Sequence, residues 1–352
     1  MSRPKRKLRV LIFGAGAIGT YIGVSLATAG HLVTFLERPE KIDRLQERGF
    51  QLALQDHVRQ LPDPHLTADL SHSLQEKTFD LAVFALKSYH TRPILGKLRT
   101  VRNQLPPLLC LQNGVENEAL LAEILGPENV IPGTVTSAVS REKTGWVRLE
   151  KERGIGLAGD HPLIKELAET FQAAGLSTSR YQRPEDMKWS KLLTNLLANA
   201  SSAILNMTPE EIFRDQAAFD LEIRQQREAL QVMKAAGIKV VNLPGVPVKL
   251  LARVEKHFPR FLAQPMLVRA VGGGRGEKMP SFHVDLYSGQ KESEVDALNG
   301  AVVRAGRKYQ VSTPVNQLML STLTDLIEGT IPREKYAGKP RRLRRALTQP
   351  SS

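Results

Sequence analysis

Lys191, Asn195 and Asn199 stand four residues apart, so on a helix each step turns only about 40° and the three share one face. A lysine followed by two amides along such a stripe offers a proton donor and two orienting hydrogen-bond groups. The same spacing describes a solvated stripe on a surface helix, and Lys188, one turn earlier, is a rival for the acid role. Ser281 and Asp285, followed by Glu292-Ser293-Glu294-Val295-Asp296, form a second polar group with Ser293 reading as a helix cap. Acids in a first helical turn are ordinarily dipole partners, so locally Glu294 carries little chemistry. Lys87 and Asn113 close two apolar runs, residues 81–86 and 108–111. In open parallel sheets, ligands bind just beyond the carboxyl ends of the strands. Asn113-Gly114 is also an ordinary turn pair.

A cofactor loop gives these groups something to act on. Gly14-Ala15-Gly16-Ala17-Ile18-Gly19 follows an apolar run, residues 8–13, and precedes a helical stretch reaching residue 29. In this dinucleotide fingerprint the first glycine permits the turn and the second lets a pyrophosphate approach the backbone. The third lets the helix pack on the strand. Helix-terminal N–H groups then face the phosphates. A second strand, residues 32–36, ends in Glu37-Arg38, about 20 residues on, where the ribose is met. The rival reading is a glycine turn in an unrelated α/β protein.

The first half alternates strands and helices, predicting a parallel sheet with crossover helices. Short strands are expected at 49–54 and 58–61, and residues 146–149 and 155–157 read as a pair at the sheet edge. From Pro184 onward the strand signals nearly vanish. Residues 185–206, 215–236, 247–258, 292–309 and 314–328 all have helical apolar spacing. The expected domains are 1–183, 184–330 and a flexible basic tail, 331–352. Gly272-Gly273-Gly274-Arg275-Gly276 reads as a flexible loop.

Together these residues resemble the 2-dehydropantoate 2-reductase (ketopantoate reductase) family, from about residue 8 to 328. The resemblance rests on the GAGAIG loop, Arg38, Leu86-Lys87, Gln112-Asn113-Gly114, Lys191-Leu192-Leu193-Thr194-Asn195 with Asn199, Ser281 with Asp285, residues 294–300, and Pro314-Val315-Asn316. It implies an α/β Rossmann-type dinucleotide-binding domain followed by an all-α domain of the 6-phosphogluconate dehydrogenase C-terminal type. The implied activity is NADPH-dependent reduction of ketopantoate to (R)-pantoate, in pantothenate and coenzyme A synthesis. It also implies Lys191 as general acid and Glu294 as the catalytic partner that holds the substrate hydroxyl. Asn113, Asn195, Asn199 and Ser281 would bind substrate. The glycine loop, Arg38, Lys87 and Asn113 would bind the cofactor, with no metal.

Arg38 suits a 2′-phosphate and hence NADPH, whereas Glu37 suits bare ribose hydroxyls and hence NADH. Two other functions stay open: a related NAD(P)H-dependent keto acid reductase, and a non-catalytic dinucleotide-binding protein. The net charge of +13 sits mostly at the ends, in residues 1–9 and 331–352. That placement argues for solvated termini and against specific nucleic-acid recognition. No apolar run is long enough to span a membrane. The single cysteine, Cys110, and a first strand starting near Leu8 lead to the expectation of a cytoplasmic protein without a targeting segment. The long helices 215–236 and 292–309 offer faces for a homodimer.

Overall fold

The computed structural model describes residues 6–257, 264–268 and 279–347. The glycine-rich segment 272–276 and the outermost ends of both basic runs lie outside the described residues. The chain divides into two compact units. The first comprises residues 1–112, 116–188 and 243–246, and the second comprises 113–115, 189–242 and 247–352.

The first unit is a twisted, mostly parallel sheet with helices. In chain order its elements are β1 (Arg9–Phe13), α1 (Ala17–Thr28), β2 (Leu32–Leu36), α2 (Pro39–Arg48), β3 (Phe50–Ala53), β4 (Val58–Leu61), β5 (His65–Thr67), α3 (Leu70–Glu76) and β6 (Leu81–Phe84). There follow α4 (Thr91–Val101), β7 (Leu108–Cys110), α5 (Asn117–Leu125), β8 (Val130–Val135), β9 (Ala138–Lys143), β10 (Trp146–Lys151), β11 (Ile155–Ala158), α6 (Ile164–Ala173) and β12 (Thr178–Tyr181). The main sheet has the order β12-β11-β8-β7-β6-β1-β2-β5. Only the β8–β11 pairing in it is antiparallel. β1 is central, so both of its faces need cover. Val10 and Ile12 join one apolar cluster and Leu11 and Phe13 the other. All four are essentially buried, each contributing roughly 1.5–3 kcal/mol of burial.

A second sheet, β4-β3-β10-β9, corrects the expected edge pairing of 146–149 with 155–157. β10 turns back on β9 through Gly145, at φ +78°, and runs parallel to β3, while Gln51 N donates to Gly145 O (2.8 Å). β11 instead lies between β8 and β12 in the main sheet.

The second unit is helical. It contains α7 (Pro184–Leu196) from Trp189 onward, α8 (Asn199–Leu205), α9 (Pro209–Arg214), α10 (Gln216–Ala235) and α11 (Val248–His257). Next come α12 (Ser281–Tyr287), α13 (Ala301–Lys308) directly after a π-helical turn at Asp296–Gly300, α14 (Pro314–Glu328) and α15 (Pro340–Ala346). Among the described residues no helix is long and apolar enough to cross a membrane.

Two expectations are corrected here. The flexible basic tail is folded as far as Ala346: Pro340 and Leu343 are buried, Arg344 Nη1 donates to Asp220 Oδ2 (2.9 Å), and Gly338 N donates to Leu205 O (2.7 Å). The single helix expected over 185–206 is two. Ala198 sits in the left-handed region at φ 51°, an uncommon conformation for a residue with a side chain. Partners on α10 compensate for the break. Glu222 Oε2 accepts the Ala198 N–H (2.8 Å), and the Leu193 and Leu196 carbonyls accept from Gln226 Nε2 (3.0 Å) and Gln225 Nε2 (3.1 Å).

Candidate active site

In the first unit the glycine loop leaves the carboxyl end of β1, where Gly14 N donates to Leu36 O (3.0 Å). Gly14 has φ +91°, and a Cβ there would lie 2.7 Å from Leu86 Cδ2. A Cβ on Gly19 would meet Gly14 O at 1.9 Å, so α1 can pack this close only without one. A Cβ on Gly16 would meet no atom of the chain within 4 Å. The space in front of Gly16 is open, so a pyrophosphate at this helix N-terminus can approach the backbone. Gly16, Ala17 and Ile18 are half-buried at that helix start, and Gly14, Ala15 and Gly19 are buried. The loop thus fits a dinucleotide.

Glu37, just past β2, reaches back to this loop. Its Oε2 accepts Ala15 N–H (3.0 Å), its Oε1 accepts Arg38 N–H (3.0 Å), and Lys41 Nζ lies 3.1 Å from Oε1. Burial pushes the Glu37 carboxyl up, but the Arg38 N–H, the Lys41 ammonium and the Ala15 N–H outweigh it and hold it below the usual carboxylate range. Arg38 is 64% exposed, with Glu40 Oε1 3.4 Å from its Nε. Lys87 follows β6 as the cap of a short 3-10 turn, and its carbonyl accepts from Gln112 Nε2 (3.1 Å).

Lys188 is not placed as a proton donor. It is 4% exposed. Its Nζ donates to Gln112 O (2.7 Å) and Gly133 O (3.2 Å), with Glu118 Oε1 at 2.7 Å. The ammonium ties Gln112, just past β7, and Gly133, within β8, to α5, which is a structural task.

In the second unit Lys191 and Asn195 occupy successive turns of α7, both half-buried. Asn195 Nδ2 donates to Asn113 Oδ1 (3.0 Å), and Asn113 Nδ2 donates to Glu294 Oε2 (3.3 Å). Glu294 is 2% exposed. Three residues that lie far apart in sequence thus meet in one hydrogen-bonded row beginning one turn from Lys191. Asn199 is not the third member of an α7 stripe, because the break at Ala198 places it at the start of α8. Its Oδ1 accepts Phe282 N–H (3.1 Å), which fixes the first turn of α12 beside exposed Ser281. Glu294 stands just before the π turn, and Ser293 Oγ accepts Val295 N–H (3.2 Å).

The sequence reading missed the polar side of α10. Glu222, Gln225 and Gln226 are all 0–1% exposed. Their i, i+3, i+4 spacing matches an inward helix face, and such residues can be buried only if they bond to something. That was the available signal.

Residues 10–160 match the family model described as "Ketopantoate reductase PanE/ApbA", and residues 184–327 match "Ketopantoate reductase PanE/ApbA C terminal". The 2-dehydropantoate 2-reductase of Halobacterium salinarum is 28% identical over 327 residues, covering 91% of this chain and 98% of that protein. The crystal structure of a PanE/ApbA family ketopantoate reductase from Ralstonia eutropha aligns with TM-score 0.76 at 25% identity, over 92% of this chain and 99% of that one. D-mandelate dehydrogenase, solved with NADH and anilino(oxo)acetate, aligns with TM-score 0.75 at 21% identity, over 92% and 99% of the two chains, and shares the fold.

Proposed function

The chain belongs to the ketopantoate reductase PanE/ApbA family, and from that premise we propose that it reduces ketopantoate to (R)-pantoate with NADPH, a step of pantothenate and coenzyme A synthesis in the cytoplasm. The observation that carries this reading is the Asn195–Asn113–Glu294 row beginning one turn from Lys191. The glycine loop from Gly14 to Gly19, Arg38, Lys87 and Asn113 would hold the nicotinamide cofactor, which when bound would supply the hydride for C2 of the keto acid. As the carbonyl π pair moves to oxygen, the Lys191 ammonium polarises that oxygen and donates it a proton. Glu294 accepts a hydrogen bond from the substrate hydroxyl. Asn195, Asn199, Ser281 and Asn113 bind the carboxylate and hydroxyl ends. Residues 1–183 serve the cofactor and residues 184–330 the substrate.

The end of β2 supports a second reading of the cofactor. An ionised Glu37 bonded to the glycine loop suits ribose hydroxyls and repels a 2′-phosphate, which favours NADH. Exposed Arg38 can swing to a 2′-phosphate, which favours NADPH. Steady-state turnover of ketopantoate with each cofactor separates the two. The expected result is an NADPH preference, with Arg38→Ala raising KM for NADPH about tenfold or more, the worth of a charge-assisted contact, and leaving NADH nearly unchanged. An NADH preference that Glu37→Gln abolishes selects the second reading. Turnover of other 2-keto acids with ketopantoate untouched would refute the substrate assignment and leave the reductase.

A further inference from the structure

Gln225 lies in α10, far in sequence from every residue assigned a role above. It is fully buried, and both ends of its side-chain amide are used. Nε2 donates to the carbonyl of Leu196 (3.1 Å), the last residue of α7, just before the break at Ala198. Oε1 accepts from Asn299 Nδ2 (2.8 Å). The Leu196 carbonyl can only accept, so the orientation of the Gln225 amide is fixed by its partner.

Asn299 sits inside the π turn Asp296–Gly300, which follows Glu294. Such turns replace the i→i+4 ladder and occur frequently at functional sites. This one is anchored from outside the helix. Asn299 Nδ2 also donates to Asn316 Oδ1 (3.1 Å), and Asn316 Nδ2 donates to Gln225 O (3.1 Å) and Glu228 Oε2 (2.8 Å). Glu228 accepts the Val315 and Asn316 N–H groups at 2.8 and 2.9 Å. Asn299 and Asn316 are 1% and 0% exposed, so water cannot replace these partners.

One end of Gln225 therefore holds the helix that carries Lys191 and Asn195, and the other holds the turn that follows Glu294. We infer that Gln225 is a positioning residue whose side-chain amide sets the spacing between the Lys191 helix and the Glu294 segment. This rests on the roles given above to Lys191 and Glu294. The Asn195–Asn113–Glu294 row is a second link between the same two segments. If the Gln225 bridge is lost, one of these two links is left, and Glu294 can shift relative to Lys191 without the chain unfolding.

The test uses the full chain with ketopantoate and NADPH, and the variants Gln225→Met and Gln225→Glu. Methionine keeps the volume and removes both hydrogen bonds. A glutamic acid is close in shape to glutamine, and while protonated it can donate to Leu196 O and accept from Asn299; once ionised it repels that carbonyl. The expected result is a kcat about ten- to a hundredfold lower in Gln225→Met, the scale of a misplaced catalytic group, with NADPH affinity nearly unchanged. The activity of Gln225→Glu relative to the unsubstituted protein should rise as pH falls, a rescue that a change in folded fraction alone does not produce. Circular dichroism at each pH supplies that fraction. A wild-type kcat in Gln225→Met overturns the inference. So does a Gln225→Glu ratio that is flat with pH once corrected for folded fraction. Lys191→Met is measured alongside. If the unsubstituted protein does not turn over ketopantoate, the proposed function falls; if Lys191→Met is as active as an active wild type, the role of Lys191 falls; if Lys191→Met is inactive while Gln225→Met turns over normally, only the role of Gln225 falls.

Discussion

Lys191→Met lowers kcat for ketopantoate reduction by about 10²–10⁴-fold, the range general acids contribute, and leaves NADPH binding in place. Methionine is close to lysine in length and keeps the helix, so the change isolates the ammonium. Two kinds of help are lost together: polarisation of the carbonyl before hydride arrives, and the proton that the new alkoxide takes. Both operate on the way to the transition state, so kcat should fall more than KM rises. Lys188→Met is the matched control. That ammonium is buried against Gln112 O, Gly133 O and Glu118, so its loss leaves two carbonyls and the half-buried Glu118 carboxylate without it and costs up to about 3 kcal/mol of stability. Thermal unfolding and single-turnover kinetics on both variants tell the two lysines apart. Full turnover in Lys191→Met, with an active wild type, would sink the mechanism.

The sequence was most legible where local pattern and tertiary demand agree. β1, the glycine loop and α1 follow one another within twenty residues, and the buried strand, the turn and the helix each need residue types that can be read locally. Lys191 and Asn195 were legible for the same reason, since an i, i+4 pair needs only a helix to share a face. The break at Ala198 was not. Leu193 to Ala203 reads as continuous helix, and the break is held by Glu222, Gln225 and Gln226, more than twenty residues away. The stripe that joined Asn199 to Lys191 on one helix was therefore an artefact of assuming local order. The Asn113–Glu294 contact spans 181 residues and only the fold can create it. β9 was missed because its second half, Arg141-Glu142-Lys143, is exposed and charged and carries no alternation. α15 was hidden by its arginines, since Pro340 and Leu343 are its only buried residues.

Glu255→Gln stabilises the protein, and the gain grows with pH. Glu255 lies on α11 at 2% exposure, lining a small pocket with Leu193, Thr194 and Leu197, and its Oε1 has no hydrogen-bond partner among the described residues. Burial pushes its carboxyl up to about 8, with the Glu222 carboxylate adding to the rise and Arg227 opposing it. The folded chain therefore keeps a proton that the unfolded chain releases near pH 4.5. Between these two values the folded state binds more protons, so stability falls as pH rises, by about 1.4 kcal/mol per pH unit, and levels off above the folded value. Glutamine resembles the protonated acid in shape and does not titrate, so the variant lacks this slope. At about pH 5 the two proteins should unfold at similar denaturant midpoints. By about pH 7.5 the variant should be roughly 3 kcal/mol or more ahead, with the difference set by one titrating group. Urea unfolding at several pH values measures the difference directly, because titrations not coupled to Glu255 cancel between the two proteins. Stability curves that run parallel from pH 5 to 8 would mean that Glu255 is ionised in the folded chain, and that a partner beyond Arg227 stabilises its charge.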